Sequence, residues 1–220
     1  MAIGPHKMSS LKSRILHLAQ TSVYQIKLSP PSAVLSHLSQ NGVNYQTQGE
    51  NIELLCNSCT LPGTSLSTHE VVGDYTGVRE RMAYRRQYDD NVDFTFYVDH
   101  DYKVVDLFEG WINYIAGQGN GQRLTNTNAR KRDANFRMNY PNSYLTNMYI
   151  LKFEKDVSSS SSIFFDDDTY QLTYTLVNAF PVNIVSTPVS YESSQILKYT
   201  VSMAFMRYTV DNLKIRVPDQ

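Results

Sequence analysis

The chain has 220 residues, 41% of them hydrophobic and 19% charged, with a formal net charge of -1. That length suits one domain with a sizeable core, and the composition excludes a disordered chain. A near-neutral balance gives no general pull toward nucleic acid or membrane surfaces, and no apolar run approaches the roughly 18 residues of a membrane span. Cys56 and Cys59 are the only cysteines. They are too few for a disulfide framework and agree with a reducing compartment. The polar start and the short patch Ile15–Ala19 do not make a signal peptide, so folding in a cytoplasm is expected.

Leu11, Ile15 and Leu18 recur at helical spacing and predict a first helix. Alternation over Val23–Leu28 predicts a strand. Ser29–Gly49, with Pro30-Pro31 and many polar residues, reads as irregular. Weak alternation predicts strands over Ile52–Cys56, Ser65–Val72 and Met82–Tyr88. The pattern is clean at Val92, Phe94, Phe96 and Val98. From Tyr102 to Ala116, Val104, Phe108, Trp111 and Ile115 share one face, predicting an amphipathic helix. Asp99 and Asp101 are its expected acidic N-terminal caps and Gly117 its stop.

Gly117–Pro141 reads as irregular. Strands follow over Tyr149–Glu154, Tyr170–Leu176, Val182–Tyr191 and Leu197–Phe205, with an irregular serine-rich and acidic stretch over Asp156–Asp168 between the first two. About nine strands are too many for one small sheet. The expectation is a mainly β, α+β chain: an antiparallel β-sandwich or barrel flanked by one main α-helix.

Motifs that could carry chemistry are weak. Cys56-Asn57-Ser58-Cys59 matches CxxC, but there is no second pair, and in a strand positions three apart point to opposite faces. The five histidines lack ligand spacing; His100 between Asp99 and Asp101 reads as a polar lead-in to the helix. Asp166-Asp167-Asp168 lacks the ligand pattern of a calcium loop. Gly117-Gln118-Gly119-Asn120-Gly121 follows a helix, whereas a phosphate loop opens one. Arg79, Arg81, Arg85 and Arg86, with Tyr84 and Tyr88 between them, are the best binding candidates. They suit either phosphates or carboxylates on a neighbouring subunit. Arg130-Lys131-Arg132 is a looser basic cluster. No catalytic constellation, metal or cofactor site is expected.

Tyr88-Asp89-Asp90, the alternating strand after it, the helix with Trp111 and the exit Ala116-Gly117-Gln118-Gly119-Asn120 follow in an order that resembles the tail tube proteins of T-even-like contractile-tailed bacteriophages. Cys59-Thr60-Leu61-Pro62-Gly63 resembles the family's early turn. Asn178-Ala179-Phe180-Pro181, with the segments to Tyr191 and from Gln195 to Tyr208, resembles its closing hairpin. The stretches near 29–49, 122–141 and 156–168 look like loop insertions in a single domain spanning 1–220. The resemblance implies a non-enzymatic virion protein without cofactors, made in the host bacterial cytoplasm. It implies hexameric rings stacked into the inner tail tube, which penetrates the host envelope and conducts viral DNA without sequence-specific binding. Sheath, baseplate or tube-initiator and tail terminator proteins are the implied partners, with no membrane anchor. Thr173 and Thr175, or Lys198, Thr200 and Ser202, have the polar, small character of a lumen face. Arg79, Arg81, Arg85 and Arg86, on the arm between Leu61 and Tyr88, are the expected inter-subunit residues. Alternatives are a baseplate-end ring of the same fold, or a β-sandwich carbohydrate-binding module using Tyr140 and Tyr144.

Overall fold

The computed structural model describes residues 19, 21–40, 42–73, 77–117, 138–153, 168–191 and 195–216. The elements in chain order are β1 (Tyr24–Lys27), α1 (Ser32–Gln40), α2 (Tyr45–Leu54), β2 (Cys56–Cys59), β3 (Thr64–Val72), β4 (Arg79–Tyr88), β5 (Asn91–Tyr97), α3 (Lys103–Ile115), α4 (Pro141–Tyr144), β6 (Thr146–Phe153), β7 (Asp168–Ile184), β8 (Lys198–Ala204) and β9 (Arg207–Arg216).

All strand pairs are antiparallel, and the long β7 belongs to two sheets. Its first part lies between β6 and β9, and β1 extends this sheet beyond β6; we call it sheet I. Its last residues, from Phe180, pair with β8, which continues to β5 and β2 as sheet II. The passage occurs at Asn178, whose φ of 56° is left-handed. Asparagine tolerates that region better than other side-chain-bearing residues, and the register slips beside it, between Thr146 and Met148. The Asn178–Pro181 segment that resembles the family is therefore the corner where the strand changes sheet. β9 is missing from the strands anticipated by periodicity. Its apolar positions change parity, from Tyr208 and Val210 to Leu213 and Ile215, so no single face reads through.

Ile26, Met148, Ile150 and Leu176 of sheet I and Phe94, Phe96, Val201 and Met203 of sheet II form one core with α3. Val104, Leu107, Phe108 and Trp111 of α3 are buried in it, and the rings of Phe96 and Phe108 lie 5.2 Å apart. Trp111 Nε1 finds no acceptor among the described residues.

The stretch read as irregular, 29–49, instead carries α1 and the start of α2. Val34, His37 and Leu38 of α1 are buried at helical spacing. The helix ends with Gly42 N–H donating to the Ser39 carbonyl (3.1 Å) and Val43 N–H to the Leu38 carbonyl (3.0 Å), the paired closure for which glycine at positive φ is suited. Pro30-Pro31 precedes the helix, where proline does no harm. α2 is held to β1 by its own side chains. Glu53 Oε1 accepts from Leu28 N–H (2.8 Å), and Tyr45 Oη lies 2.9 Å from the Leu28 carbonyl and 3.1 Å from the same Glu53 oxygen. Ile52 lies in α2, so the expected strand Ile52–Cys56 is displaced to Cys56–Cys59. The strand expected over Val182–Tyr191 ends at Ile184 as the tail of β7. Asp99 and Asp101 do not cap α3. The residue at its N-cap is Tyr102, left-handed at φ 55° and without a side-chain cap bond.

The expected helix around Leu11–Leu18, the insertions near 122–141 and 156–168 for the most part, Arg130–Arg132 and Gln118–Asn120 fall outside the described residues.

Candidate assembly interface

β3 and β4 pair with each other and with no other described strand. They form an arm whose residues are exposed on both faces except Ser67 and Tyr88, which are partly covered. A two-stranded ribbon with no face to bury is marginal by itself in water. The arm grows out of sheet II, since β2 runs through Thr60–Gly63 into β3 and β4 runs through Asp89 and Asp90 into β5.

Its root is tied by polar and aromatic contacts. The Gly63 amide donates to Asp89 Oδ2 at 2.5 Å, and the Asp89 amide returns a bond to the Gly63 carbonyl at 3.3 Å. A Cβ on residue 63 would sit 2.6 Å from Asp89 Oδ2, so this approach needs glycine. The Leu61-Pro62-Gly63 turn and the Asp89-Asp90 pair, 26 residues apart from Gly63 to Asp89, thus meet at one point. Thr64 Oγ1 donates to the Gln87 carbonyl (2.8 Å) and accepts from Arg86 Nε (3.0 Å). The Arg86 guanidinium lies over Tyr88, 4.7 Å from its centroid, and 5.7 Å from that of Tyr208. Tyr88 meets Tyr208 edge-on at 5.5 Å.

The four arginines do not act as one cluster. Ser67 pairs with Arg85 but Thr68 with Ala83, which leaves Tyr84 as the extra residue of a bulge. Cross-strand partners share a face, so Arg79, Arg81 and Arg86 stand with Val72, Glu70 and Leu66, whereas Arg85 stands with Ser67 on the other face. Without the bulge, Arg79, Arg81 and Arg85 would have shared a face by parity. Arg79 reaches Glu70 at 3.6 Å, an exposed pair of about 0–1 kcal/mol. Arg86 is committed to the root. Arg81 and Arg85 make no ion pair with the described residues. Leu66 and Val72 on one face, Val71 and Met82 on the other, and Tyr84 at the bulge are exposed apolar groups. Each face thus offers an apolar strip with an unpaired cation, a chemistry suited to a protein surface carrying carboxylates. The tie from Gly63 to Asp89 and the role of Tyr208 were missed by sequence reasoning; they join residues far apart in the chain.

Cys56 and Cys59 share a face, contrary to the parity expectation. Cys56 stands opposite Phe96 and Cys59 opposite Phe94, because a bulge after Cys56 absorbs one residue. Both thiols turn toward the core and are free. Burial pushes them up, to about 12 for Cys56 and about 11 for Cys59. The Tyr24 hydroxyl of β1 donates to the Cys56 carbonyl at 3.1 Å, bridging the edges of sheets I and II beside a cleft of 770 Å³.

His100 Nδ1 lies 3.0 Å from Asp99 Oδ1 and Nε2 2.8 Å from Asp101 Oδ1, while Lys103 Nζ lies 2.6 Å from Asp101 Oδ2. The bond to Asp99, then the charge of Asp101, raise the His100 pKa, and the same His100 bond lowers that of Asp99. The ligand atoms of all three lie within 4.8 Å of one another, but they are exposed and already paired. Tyr140 is exposed, whereas Tyr144 packs on Phe180 at 5.4 Å. Among the described residues no helix is long and apolar enough to cross a membrane.

The sequence matches the family model of the phage tail tube protein over residues 19–211. No curated protein matches it. Among solved structures, the anti-feeding prophage cap, described as a tube terminating cap, is similar at a TM-score of 0.53 and 15% identity, over 90% of this chain and 93% of that one. A chain of the sheath-tube complex of an extracellular contractile injection system, in its extended state, is similar at 0.51 and 13%, over 95% of this chain and 100% of the other. The sheath/tube terminator of such a system gives 0.50 and 14%, over 89% and 97%. At these identities the structures show a shared fold. With the family model covering most of the chain, the protein belongs to the phage tail tube protein family, a family of structural proteins.

Proposed function

We propose that this protein is the repeating subunit of a contractile-tail inner tube: hexameric rings stack, penetrate the host envelope and conduct viral DNA. The arm carries this reading. A ribbon solvated on both faces, rooted by specific bonds and bearing unpaired Arg81 and Arg85, gains stability only when something covers it. A second copy in the next ring is the occupant that repeats indefinitely. The edge strands β9 and β2 support the ring itself. Unpaired edges are a liability in a monomer, and head-to-tail pairing around a closed rotation removes them. The sheath, baseplate or initiator, and terminator proteins would then contact the outside and the ends, and assembly would take place before release of the virion.

Electron microscopy of the purified protein over a concentration series tests the reading, beside a variant in which 64–88 is replaced by a short turn. Hollow six-fold tubes from the intact chain, and single rings or subunits from the variant, are expected. Tubes of normal length from the armless variant would refute the stacking role.

A further inference from the structure

Among the described residues, the outward face of sheet II differs in character from that of sheet I. On sheet II, side chains bond to each other across the strands. Ser202 Oγ donates to Asp93 Oδ1 at 2.5 Å, the hydroxyls of Thr95 and Thr200 lie 3.0 Å apart, and Lys198 Nζ lies 5.8 Å from the centre of the Tyr97 ring. Each is a directly opposed pair in the β5–β8 register. Ser58 extends the row of Thr95 across β2, and Asn183 extends the row of Ser202 across β7, while Phe180, opposite Ala204 and packed on Tyr144, is the apolar member at the β7 end. Among the described residues Asp93 and Lys198 are the only charged ones on this face, one of each sign. The outward face of sheet I differs. Tyr149 and Leu151 stand half-buried in its middle, with Thr173 and Thr175 beside them and Lys27, Arg207 and Asp211 around. An apolar centre with a charged rim suits contact with protein. On the sheet II face the central hydroxyls of Thr95, Thr200 and Ser202 are each bonded across the strands.

We propose that the outward face of sheet II is the wall of the bore, and that this wall is electrically neutral, with the polar pairs Asp93–Ser202 and Thr95–Thr200 at its centre bonded to one another. The inference rests on the tube reading and adds which residues face the passage and what charge they present. A polyanion moving along the wall meets one Asp and one Lys per subunit, which cancel, and central hydroxyls bonded in pairs. It slides in water without ion pairs to break. Of the two lumen candidates raised by the sequence, the proposal selects Lys198, Thr200 and Ser202 over Thr173 and Thr175.

The test uses Ser202→Cys in a Cys56→Ser, Cys59→Ser background. Asp106→Cys, exposed on α3, is the control. A polymer-tethered maleimide too wide for the bore should label both positions in dispersed subunits, but only Asp106→Cys in assembled tubes. Small cationic and anionic thiol reagents should then both reach Ser202→Cys in tubes. Their rates, each relative to the dispersed subunit, should differ by less than about threefold, whereas uncompensated charge of either sign, at potentials of several kT, would separate them by more than about tenfold. Tubes in which the wide reagent labels Ser202→Cys as readily as the control would overturn the assignment of the wall while leaving the tube reading intact. Strong discrimination by reagent charge would overturn its neutrality. Failure of the unsubstituted chain itself to form tubes would remove the tube reading and the inference together. If Ser202→Cys alone fails to assemble, it is replaced by the Thr200→Cys variant on the neighbouring row, judged by the same outcomes.

Discussion

The amide of Gly63 and the carboxylate of Asp89 meet at 2.5 Å and fix the angle at which the arm leaves sheet II. Gly63→Ala would place a methyl 2.6 Å from that carboxylate oxygen and push it away. The expected loss is about 1–2 kcal/mol, the scale of a hydrogen bond to a charged group at an exposed site. Asp89→Ala should cost a similar amount. Denaturant unfolding gives the loss, and amide exchange should quicken in β3 and β4 ahead of β6 and β7. Uniform protection across the arm in both variants would show that the root is held by something else.

Arg81 and Arg85 stand on opposite faces of the arm, and neither is used within the described chain. Arg81→Glu and Arg85→Glu should each leave the folding free energy within about 0.5 kcal/mol of the parent, as exposed substitutions usually do. They should impair tube formation, and the more damaging one identifies the face that docks. Arg86→Glu differs. It loses the contact over Tyr88 and the bond to Thr64, so it should lower stability by about 1 kcal/mol. Normal tube length in both the Arg81 and the Arg85 variants would end the electrostatic account of the arm.

Glu53 holds α2 against β1 by accepting from the Leu28 amide. Glu53→Ala leaves that amide and the Tyr45 hydroxyl with fewer partners, and about 1–3 kcal/mol should be lost. Tyr45→Phe, which keeps the ring and leaves the bond from the Leu28 amide to Glu53 in place, should cost less. A neutral result in Glu53→Ala would mean that water replaces the carboxylate at no cost.

His100 is bonded on both ring nitrogens by carboxylates, so its folded pKa lies above the ordinary 6.5. A raised pKa means that the folded state holds the proton more tightly. The contribution to stability is fully present below the unfolded value and disappears as pH rises through the folded one. Asp99 is lowered, so its own contribution is present above the unfolded carboxylate value and fades as pH falls through the folded one. His100→Gln should therefore reduce the melting temperature most at mildly acidic pH, where both partners are charged, and little in alkaline solution. A pH-independent difference from the parent would exclude the ion pairs as its cause.

Cys56 and Cys59 should be slow toward alkylating agents at neutral pH, because the thiolate is the reactive form and burial pushes both thiols to about 12 and about 11. Mass spectrometry after iodoacetamide should show labelling at least about tenfold slower than in the unfolded chain, rising with pH. Labelling at the unfolded rate in neutral buffer would mean that the β1–β2 seam opens readily.

Local patterns made much of the fold legible. Period-two alternation located β1, β5, β6, the first part of β7, and β8, because each of these strands has a buried and an open side; the weaker alternation of β3 and β4 located them too, although both faces of the arm are exposed. The spacing of Val104, Phe108 and Trp111 located α3 for the same reason. A mainly antiparallel β architecture with a flanking helix followed from those elements. The family was readable from short signatures, and Gly63, Asp89 and Asn178 now have physical roles within them: a close approach, its acceptor and a corner between sheets. The arginines of the arm were visible as candidates.

Other features depended on contacts between distant residues. α1 hid among prolines and polar residues because its short apolar stripe of Val34, His37 and Leu38 gains meaning only against α3, where His37 meets Tyr114 at 5.5 Å. Parity placed Cys56 and Cys59 on opposite faces, and unbroken alternation would put Arg85 beside Arg79 and Arg81; one bulge in each strand overrides both. A bulge is a mismatch between two strands, so neither strand carries it alone. The separation of a polar ladder on sheet II from the half-apolar face of sheet I had the same origin. Asp93, Thr95 and Tyr97 find Ser202, Thr200 and Lys198 more than a hundred residues away, in a register set by the packing of the core.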